Sequence, residues 1–166
     1  MHEYETAFTT GLPGLDRALK GILPGDNIVW QVNSIKDYQA LVTPYVEAGI
    51  HSGRRMVYFR FASHPPLVTD DIAVQVIDLD PNAGFETFIA QIHRVIERNG
   101  RGALYVFDCL SELAADWYSD QMLGNFFMLT CPYLFDLETV AYFGIFRNHH
   151  SSRALQPIFE TTQLYL

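Results

Sequence analysis

The stretch FETFIAQIHRVIERNGRGALYVFD, residues 85–108, decides the fold class of this chain. Its first part carries apolar residues at intervals of three and four, which predicts an amphipathic helix that ends at Asn99 and Gly100. Its last six residues, 103–108, are apolar almost throughout, which is typical of a strand covered on both faces of a parallel sheet. A helix followed at once by such a strand indicates an α/β fold.

The rest of the chain continues this alternation of strands and helices. Further helices are expected at 37–51, at 111–116 and at 119–129, the last with a break near Gly124 and an end before Pro132. Pro44 either kinks the helix at 37–51 or begins it after Thr43. These elements predict a three-layer α/β domain, with a mostly parallel central sheet and helices on both faces. The expected strands are 27–32, 56–61, 74–79, 103–108, 139–147 and 158–166.

Composition and charge narrow the possible functions. The 166 residues are 49% hydrophobic with a formal net charge of −8, which suits one packed domain and excludes intrinsic disorder. Only two of the 11 basic residues, Lys20 and Lys36, are lysines, so we expect neither nucleic acid nor a membrane as a partner. Cys109 and Cys131 form no metal-binding or disulfide pattern, which suits a reducing compartment. Because the start at 1–5 is acidic where a signal peptide is basic, we expect a cytoplasmic protein.

Two glycine-containing motifs precede the first predicted strand. They are TGLPGLD at residues 10–16 and GILPGD at residues 21–26. This arrangement resembles the start of a KaiC-like or RadA-like domain of the RecA-type ATPases. The resemblance implies a RecA-like P-loop NTPase fold, with residues 1–166 as a single domain.

In that family a phosphate-binding loop, G-x-x-x-x-G-K-[ST], follows the first strand, and here it falls on residues 32–39. Val32 and Asp37 stand in place of the two glycines, Tyr38 in place of the lysine and Gln39 in place of the hydroxyl residue. Such a loop binds phosphates through backbone N–H groups, a lysine charge and a hydroxyl for magnesium. The carboxylate of Asp37 would also repel phosphate. We therefore expect neither ATP nor magnesium as a cofactor.

Two further family positions also bear on catalysis. The second strand reads VYFRFAS at 57–63, without the glutamates that position the attacking water in the family. The fourth strand ends at Asp108, where the family has an aspartate that supports magnesium. Asp108 is either a Walker B-like magnesium ligand or a polar strand end that caps the following turn, and the loss of the loop favours the cap. We assign no catalytic residue.

A cluster of hydrogen-bond donors follows the fifth predicted strand and suggests an anion site. Arg147, His149 and Arg153 lie where parallel sheets place ligands. Arg60, in the second strand, either pairs with a carboxylate or faces the former nucleotide cleft. The alternative for the cluster is a solvated connecting loop.

Acyl-transfer chemistry and metal binding have weaker support. The chain has no G-x-S-x-G motif, and the sequence places no base beside Ser63 or Ser111, the serines near strand ends. His64 follows Ser63 directly, but adjacent residues seldom face one another. The adjacent His149 and His150 likewise make a poor metal pair, so we assign no metal ligand.

A narrower resemblance concerns residues 12–30 and 117–135. These stretches look like the degenerate KaiC-like region ahead of a phosphoenolpyruvate/pyruvate-binding domain in some bacterial proteins named as pyruvate, phosphate dikinases or phosphoenolpyruvate synthases. The resemblance implies that the chain is an N-terminal part of a longer protein, with that domain downstream as a partner. It implies a non-catalytic, pseudo-ATPase domain with a regulatory or assembly role. The alternatives are a divergent nucleotide-dependent phosphotransfer enzyme and a small-anion sensor that uses the former nucleotide cleft.

A homo-oligomer is a further possible assembly. RecA-like subunits hold nucleotide between neighbours, so a chain without nucleotide would associate through apolar contacts, with twofold symmetry favoured. Trp117, Tyr118 and the terminal strand at 164–166 are the candidate contacts. Aromatic residues at this content also serve as core, which is the alternative for Trp117 and Tyr118.

Overall fold

The computed structural model describes residues 7–69, 73–117 and 119–166. The acidic start at 1–5 and the contact candidate Tyr118 lie outside the described residues.

In the part of the chain that the structure describes, six strands form one sheet in which every neighbouring pair is parallel. The strands are β1 (Asn27–Val32), β2 (Met56–Arg60), β3 (Val74–Asp78), β4 (Leu104–Cys109), β5 (Val140–Phe146) and β6 (Leu164–Tyr165). Their spatial order is β3-β2-β4-β5-β1-β6. The predicted α/β class with a mostly parallel sheet is confirmed.

Helices connect most of these strands. They are α1 (Pro13–Leu19), α2 (Ile35–His51), α3 (Phe85–Asn99), α4 (Ser111–Asp116), α5 (Gln121–Asp136) and α6 (Ser152–Thr161), with a 3₁₀ turn at Pro81–Ala83. Helix α3 ends where the sequence predicts, because Gly100 adopts a positive φ of 71° that closes the helix.

Alternate strand residues face two separate cores, which gives the domain three layers. On one face, Ile28 and Tyr142 pack with Tyr38 and other buried residues of α2. On the other face, Val29 and Phe143 pack with the buried residues of α3, α5 and α6. The near-continuous apolar strands follow from this arrangement, because both faces of the sheet are covered.

The TGLPGLD motif forms a turn that leads into α1. The carboxylate of Asp16 accepts hydrogen bonds from the Thr10 N–H at 2.9 Å, from the Thr10 hydroxyl at 2.7 Å and from the Thr9 hydroxyl. Gly11 has a φ of 79°, and a Cβ there would lie 2.1 Å from the carbonyl oxygen of Pro44. The motif therefore fastens the N-terminal segment against α2.

The predicted strand at 158–166 is wrong for most of its length. Helix α6 occupies its first part, and only Leu164–Tyr165 pairs with β1. Ser151 caps this helix, because its side chain accepts a hydrogen bond from the N–H of Ala154. Ala154 and Ile158 are buried four residues apart on one helix face, and this packing outweighs the strand preference of nearby β-branched residues.

Helices α5 and α2 continue through residues at which the sequence predicts that a helix breaks, ends or starts. Helix α5 passes through both Gly124 and Pro132, and α2 passes through Pro44. The buried apolar residues of each helix offset the roughly 3 kcal/mol that an internal proline costs. Gly124 has a packing role, because a Cβ there would lie 3.0 Å from the Pro157 ring of α6.

Candidate functional site

A cleft of about 560 Å³ opens at the carboxyl ends of the strands. It lies where β2, β4 and β5 end and beside the 3₁₀ turn after β3, which is the edge where parallel sheets bind ligands. Its apolar walls include Phe61 and Phe146. Its polar lining residues are Ser63, Asn82, Ser111, Glu112, Asp116 and His149.

The connection between β1 and α2 leaves little backbone for a phosphate. Strand β1 ends at Val32, which is buried, and α2 already begins at Ile35. The side chain of Ser34 accepts a hydrogen bond at 3.2 Å from the N–H of Asp37, in the first turn of the helix. Asp37 and Gln39 are exposed on the helix surface. The N–H group of Asp37, which a phosphate-binding loop would turn towards the phosphate, therefore donates to the Ser34 side chain that caps the helix.

Tyr38, where the resemblance places a lysine, points into the core. Its side chain is fully buried, and its hydroxyl donates a hydrogen bond of 2.7 Å to the carbonyl oxygen of Phe107. The ring lies against Gly144, where a Cβ would be 2.7 Å from two ring carbons. Burial raises the pKa of Tyr38 well above its usual value, so the hydroxyl remains a neutral donor.

Asp108 is fully buried and holds the loop that follows β2. Its carboxylate accepts hydrogen bonds from the Phe61 N–H at 2.9 Å, from the Ala62 N–H at 3.0 Å and from the Tyr58 hydroxyl. Burial raises the pKa of Asp108, against the opposing effect of these hydrogen bonds. Asp108 therefore caps the loop that follows β2, and not the turn that follows its own strand, β4. Both of its carboxylate oxygens already have hydrogen-bond partners.

His64 fastens the same loop from the other side. Its Nδ1 lies 2.8 Å from the carbonyl oxygen of Pro65, and its Nε2 accepts the N–H of Cys109 at 3.3 Å. These partners assign a proton to Nδ1 and leave Nε2 as an acceptor, and Nε2 also lies 3.7 Å from Oδ1 of Asp108. The described part of the loop after β2 is thus held by hydrogen bonds, with His64 buried and Ser63 exposed.

Carboxylates make the cleft acidic. Glu112 accepts two hydrogen bonds from Ser63, one from its N–H at 2.7 Å and one from its hydroxyl at 3.0 Å. The pKa of Asp116 is raised by partial burial and by the nearby charges of Glu112 and Asp80. These carboxylates repel one another, and they would also repel an anionic ligand in the cleft.

The candidate anion-binding residues do not meet in one place. Only His149 lines the cleft. Arg60 borders a separate depression of about 300 Å³ beside β3, and Arg153 lies in a groove between α5 and α6. Arg147 is exposed just beyond β5. The geometry is that of dispersed surface donors around a solvated loop.

The structure brings together one pair that the sequence could not pair. The hydroxyl of Ser111 lies 2.7 Å from Nε2 of His150 and also accepts the N–H of Phe146 at 2.8 Å. Ser111 follows β4 and His150 follows β5, and these strands are neighbours in the sheet. The available signal was that both residues come after predicted strands, but the order of the strands is not visible in the sequence.

Trp117 belongs with the core. Its ring contacts Phe85 and Phe88 edge-on, at centroid distances of 5.1 and 5.3 Å, and its Nε1–H donates to the carbonyl oxygen of Pro81. The partly buried Trp117 therefore holds α3, α4 and the 3₁₀ turn together.

The sequence matches no protein-family model and no curated protein. The family resemblance therefore rests on the motifs at 10–16 and 21–26 and on the strand and loop positions after them. Within residues 7–69, 73–117 and 119–166, no helix is both long and apolar enough to cross a membrane. The same residues contain no group of three or more His, Cys, Asp or Glu side chains that could hold a metal ion.

Proposed function

We propose that this chain is a RecA-like domain without nucleotide chemistry, a pseudo-ATPase with a regulatory or assembly role. The observation that carries the proposal is the position of Tyr38, which is buried and hydrogen-bonded to Phe107 where the resemblance places the phosphate-binding lysine. A lysine charge there would orient phosphates, whereas a neutral, inward-facing phenol stabilises the core.

Two further features support the absence of nucleotide. The first turn of α2 is capped by Ser34, so the N–H of Asp37 is already bonded. The carboxylate of Asp108 accepts hydrogen bonds from two backbone N–H groups and from the Tyr58 hydroxyl. A magnesium ligand would instead present a carboxylate oxygen to the cleft.

The alternative functions have less support. A divergent phosphotransfer enzyme or a small-anion sensor needs converging positive groups, but Arg60, Arg147 and Arg153 are dispersed. The cleft also contains Glu112 and Asp116, which oppose the binding of phosphate or phosphoenolpyruvate.

The proposed assembly is with a downstream phosphoenolpyruvate/pyruvate-binding domain of the same protein, or with a second copy of the chain. Exposed apolar side chains on α5 and α6 suit such contacts, and they include Met128, Leu129, Phe135 and Phe159. The compartment that suits this proposal is the cytoplasm, because Cys109 and Cys131 are free thiols.

Thermal unfolding with and without millimolar Mg-ATP tests the proposal. A ligand at about one hundred times its Kd stabilises by about 2.7 kcal/mol. At about 2–4 °C per kcal/mol for a domain of this size, binding would raise the Tm by several degrees. We expect no shift and no release of phosphate from ATP. A clear shift with Mg-ATP would contradict the proposal, and a shift with phosphoenolpyruvate alone would favour the anion sensor.

A further inference from the structure

Two serines line the cleft, and their surroundings differ. The hydroxyl of Ser63 is bonded to the carboxylate of Glu112, whereas that of Ser111 is bonded to the imidazole of His150 at 2.7 Å. Ser111 also accepts the N–H of Phe146, which leaves its proton and one lone pair for the contact with Nε2 of His150. A hydroxyl bonded to an imidazole at this distance is the arrangement of an activated nucleophile and its base.

His150 is in the protonation state that a base requires. Burial lowers the pKa of His150 and His149 lowers it further, while Asp120 acts in the opposite direction. The imidazole is therefore neutral near pH 7. A general base needs Nε2 as the acceptor from Ser111, and in that tautomer the proton lies on Nδ1, which is buried without a hydrogen-bond partner.

We propose that Ser111 is a nucleophile that accepts an acyl group from small esters, with His150 as its general base. The Ser111 oxygen forms a bond to the acyl carbon while its proton passes to Nε2 of His150. The bond from that carbon to the ester's alcohol oxygen breaks, and the departing alcohol takes the proton from His150. The products are an acylated Ser111 and a free alcohol, and water can later hydrolyse the acyl-serine.

The surroundings of Ser111 define the class of acyl donor. Ser111 is only 3% exposed, so a short acyl group is required. Glu112 and Asp116 line the same cleft, so the donor is neutral or positively charged. The N–H of Phe146 donates a hydrogen bond to the Ser111 oxygen and fixes its position beside Nε2 of His150. This activity is independent of the proposed loss of nucleotide chemistry, because it uses no phosphate group.

The test uses p-nitrophenyl acetate and maps the acetyl group by peptide mass spectrometry on the unaltered chain. We expect acetylation at Ser111. Acetylation only at Ser63 or only at lysines would overturn the proposal, as would the absence of both acetylation and p-nitrophenol release above the buffer rate. This measurement needs no variant to fold.

Variants then test the roles of the two residues. Ser111→Ala should abolish the modification at this peptide, and His150→Gln should slow it by about 100-fold or more. Ser52→Ala, at the opposite end of the sheet, is the matched control and should react as the unaltered chain does. Far-ultraviolet circular dichroism confirms that each variant is folded, and an unchanged rate in folded His150→Gln would contradict the role of the base.

Two further measurements test the chemistry. The rate should follow the fraction of neutral His150 and be half-maximal below the usual histidine pKa of about 6.5, because burial and His149 lower the pKa of His150 against the opposing effect of Asp120. A half-maximal rate above that pH would contradict His150 as the base. The anionic ester p-nitrophenyl succinate should react more slowly than the acetate, and an equal or faster reaction would contradict the assigned substrate class.

Discussion

The contact between Tyr38 and Gly144 can be measured by a double-mutant cycle. Glycine is unfavourable inside a strand, so Gly144→Ala would ordinarily stabilise β5 by about 0.5–1 kcal/mol. Here the added Cβ would lie 2.7 Å from two carbons of the Tyr38 ring and 2.9 Å from a third. The ring is fully buried and held by its hydrogen bond to Phe107, so it cannot move away freely.

The structure gives the expected magnitudes. Overpacking of this kind costs about 1–3 kcal/mol, so Gly144→Ala should destabilise the unaltered chain by about 2 kcal/mol. Tyr38→Leu removes the hydroxyl, worth about 1 kcal/mol, and reshapes the core at about 1–1.5 kcal/mol. With the ring removed, Gly144→Ala should stabilise by its ordinary amount of about 0.5–1 kcal/mol, which gives a coupling energy of about 2.5–3 kcal/mol.

Urea unfolding followed by circular dichroism measures the four free energies of unfolding. Gly14→Ala is the control, because the nearest atom to a Cβ at Gly14 is a flexible Arg17 nitrogen at 3.9 Å. That substitution should be neutral or slightly stabilising in either background. Additive effects of Tyr38→Leu and Gly144→Ala, within about 0.5 kcal/mol, would refute the placement of the Tyr38 ring against β5.

Two further predictions concern buried titratable groups. Burial raises the pKa of Asp108, so protonation of its carboxyl group stabilises the folded chain. This stabilisation is lost as pH rises from about 4 through the raised pKa. The free energy of unfolding should therefore fall relative to that of Asp108→Asn between pH about 4 and about 7, and urea unfolding that shows the opposite trend would contradict this. Burial raises the pKa of Cys109 to about 11 and that of Cys131 higher still. A thiol-specific disulfide reagent at pH about 8 should thus label neither cysteine until the chain is unfolded, and rapid labelling of the folded chain would refute the buried placement.

The sheet was predictable because burial on both faces leaves a clear pattern in the sequence. Residues 103–108 are nearly all apolar, and β4 spans Leu104–Cys109 between two other strands. Helix α3 was equally clear, because Phe88, Ile92 and Ile96 repeat on one face and are fully buried. The sequence therefore predicted β4 and α3 correctly, because the pattern of apolar residues in each element matches the faces that are buried.

Other elements depended on packing that the local sequence does not show. Helix α5 continues through Pro132 because its buried face includes Phe127 and Leu134, which pack beneath the sheet. Helix α6 begins at Ser152 within the stretch before the terminal strand, and its docking on α5 was not visible in one sequence. The short α1, Pro13–Leu19, begins inside a motif that was interpreted only by its resemblance.

The candidate site was less predictable than the fold because its contacts join distant residues. Ser111 and His150 lie 39 residues apart, and only the neighbouring positions of β4 and β5 bring them together. Asp108 was correctly placed at a strand end, but its partners follow a different strand. The order of strands, and not the identity of the residues, was the missing information.

Under the proposed function, the side chains at the positions where the resemblance expects nucleotide-binding groups stabilise the fold instead. The Tyr38 hydroxyl bonds to Phe107, and the neighbouring Asp108 carboxylate holds the loop after β2. Removing either group leaves buried backbone partners unsatisfied, at about 1–3 kcal/mol for each. Under this proposal, phosphate binding would require the residues at 32–39 and these buried contacts to change together, and the loss of the Tyr38 contacts would reduce stability before any ligand could bind. This coupling is a physical reason for the proposed domain to lack nucleotide chemistry while Tyr38 lies in its core.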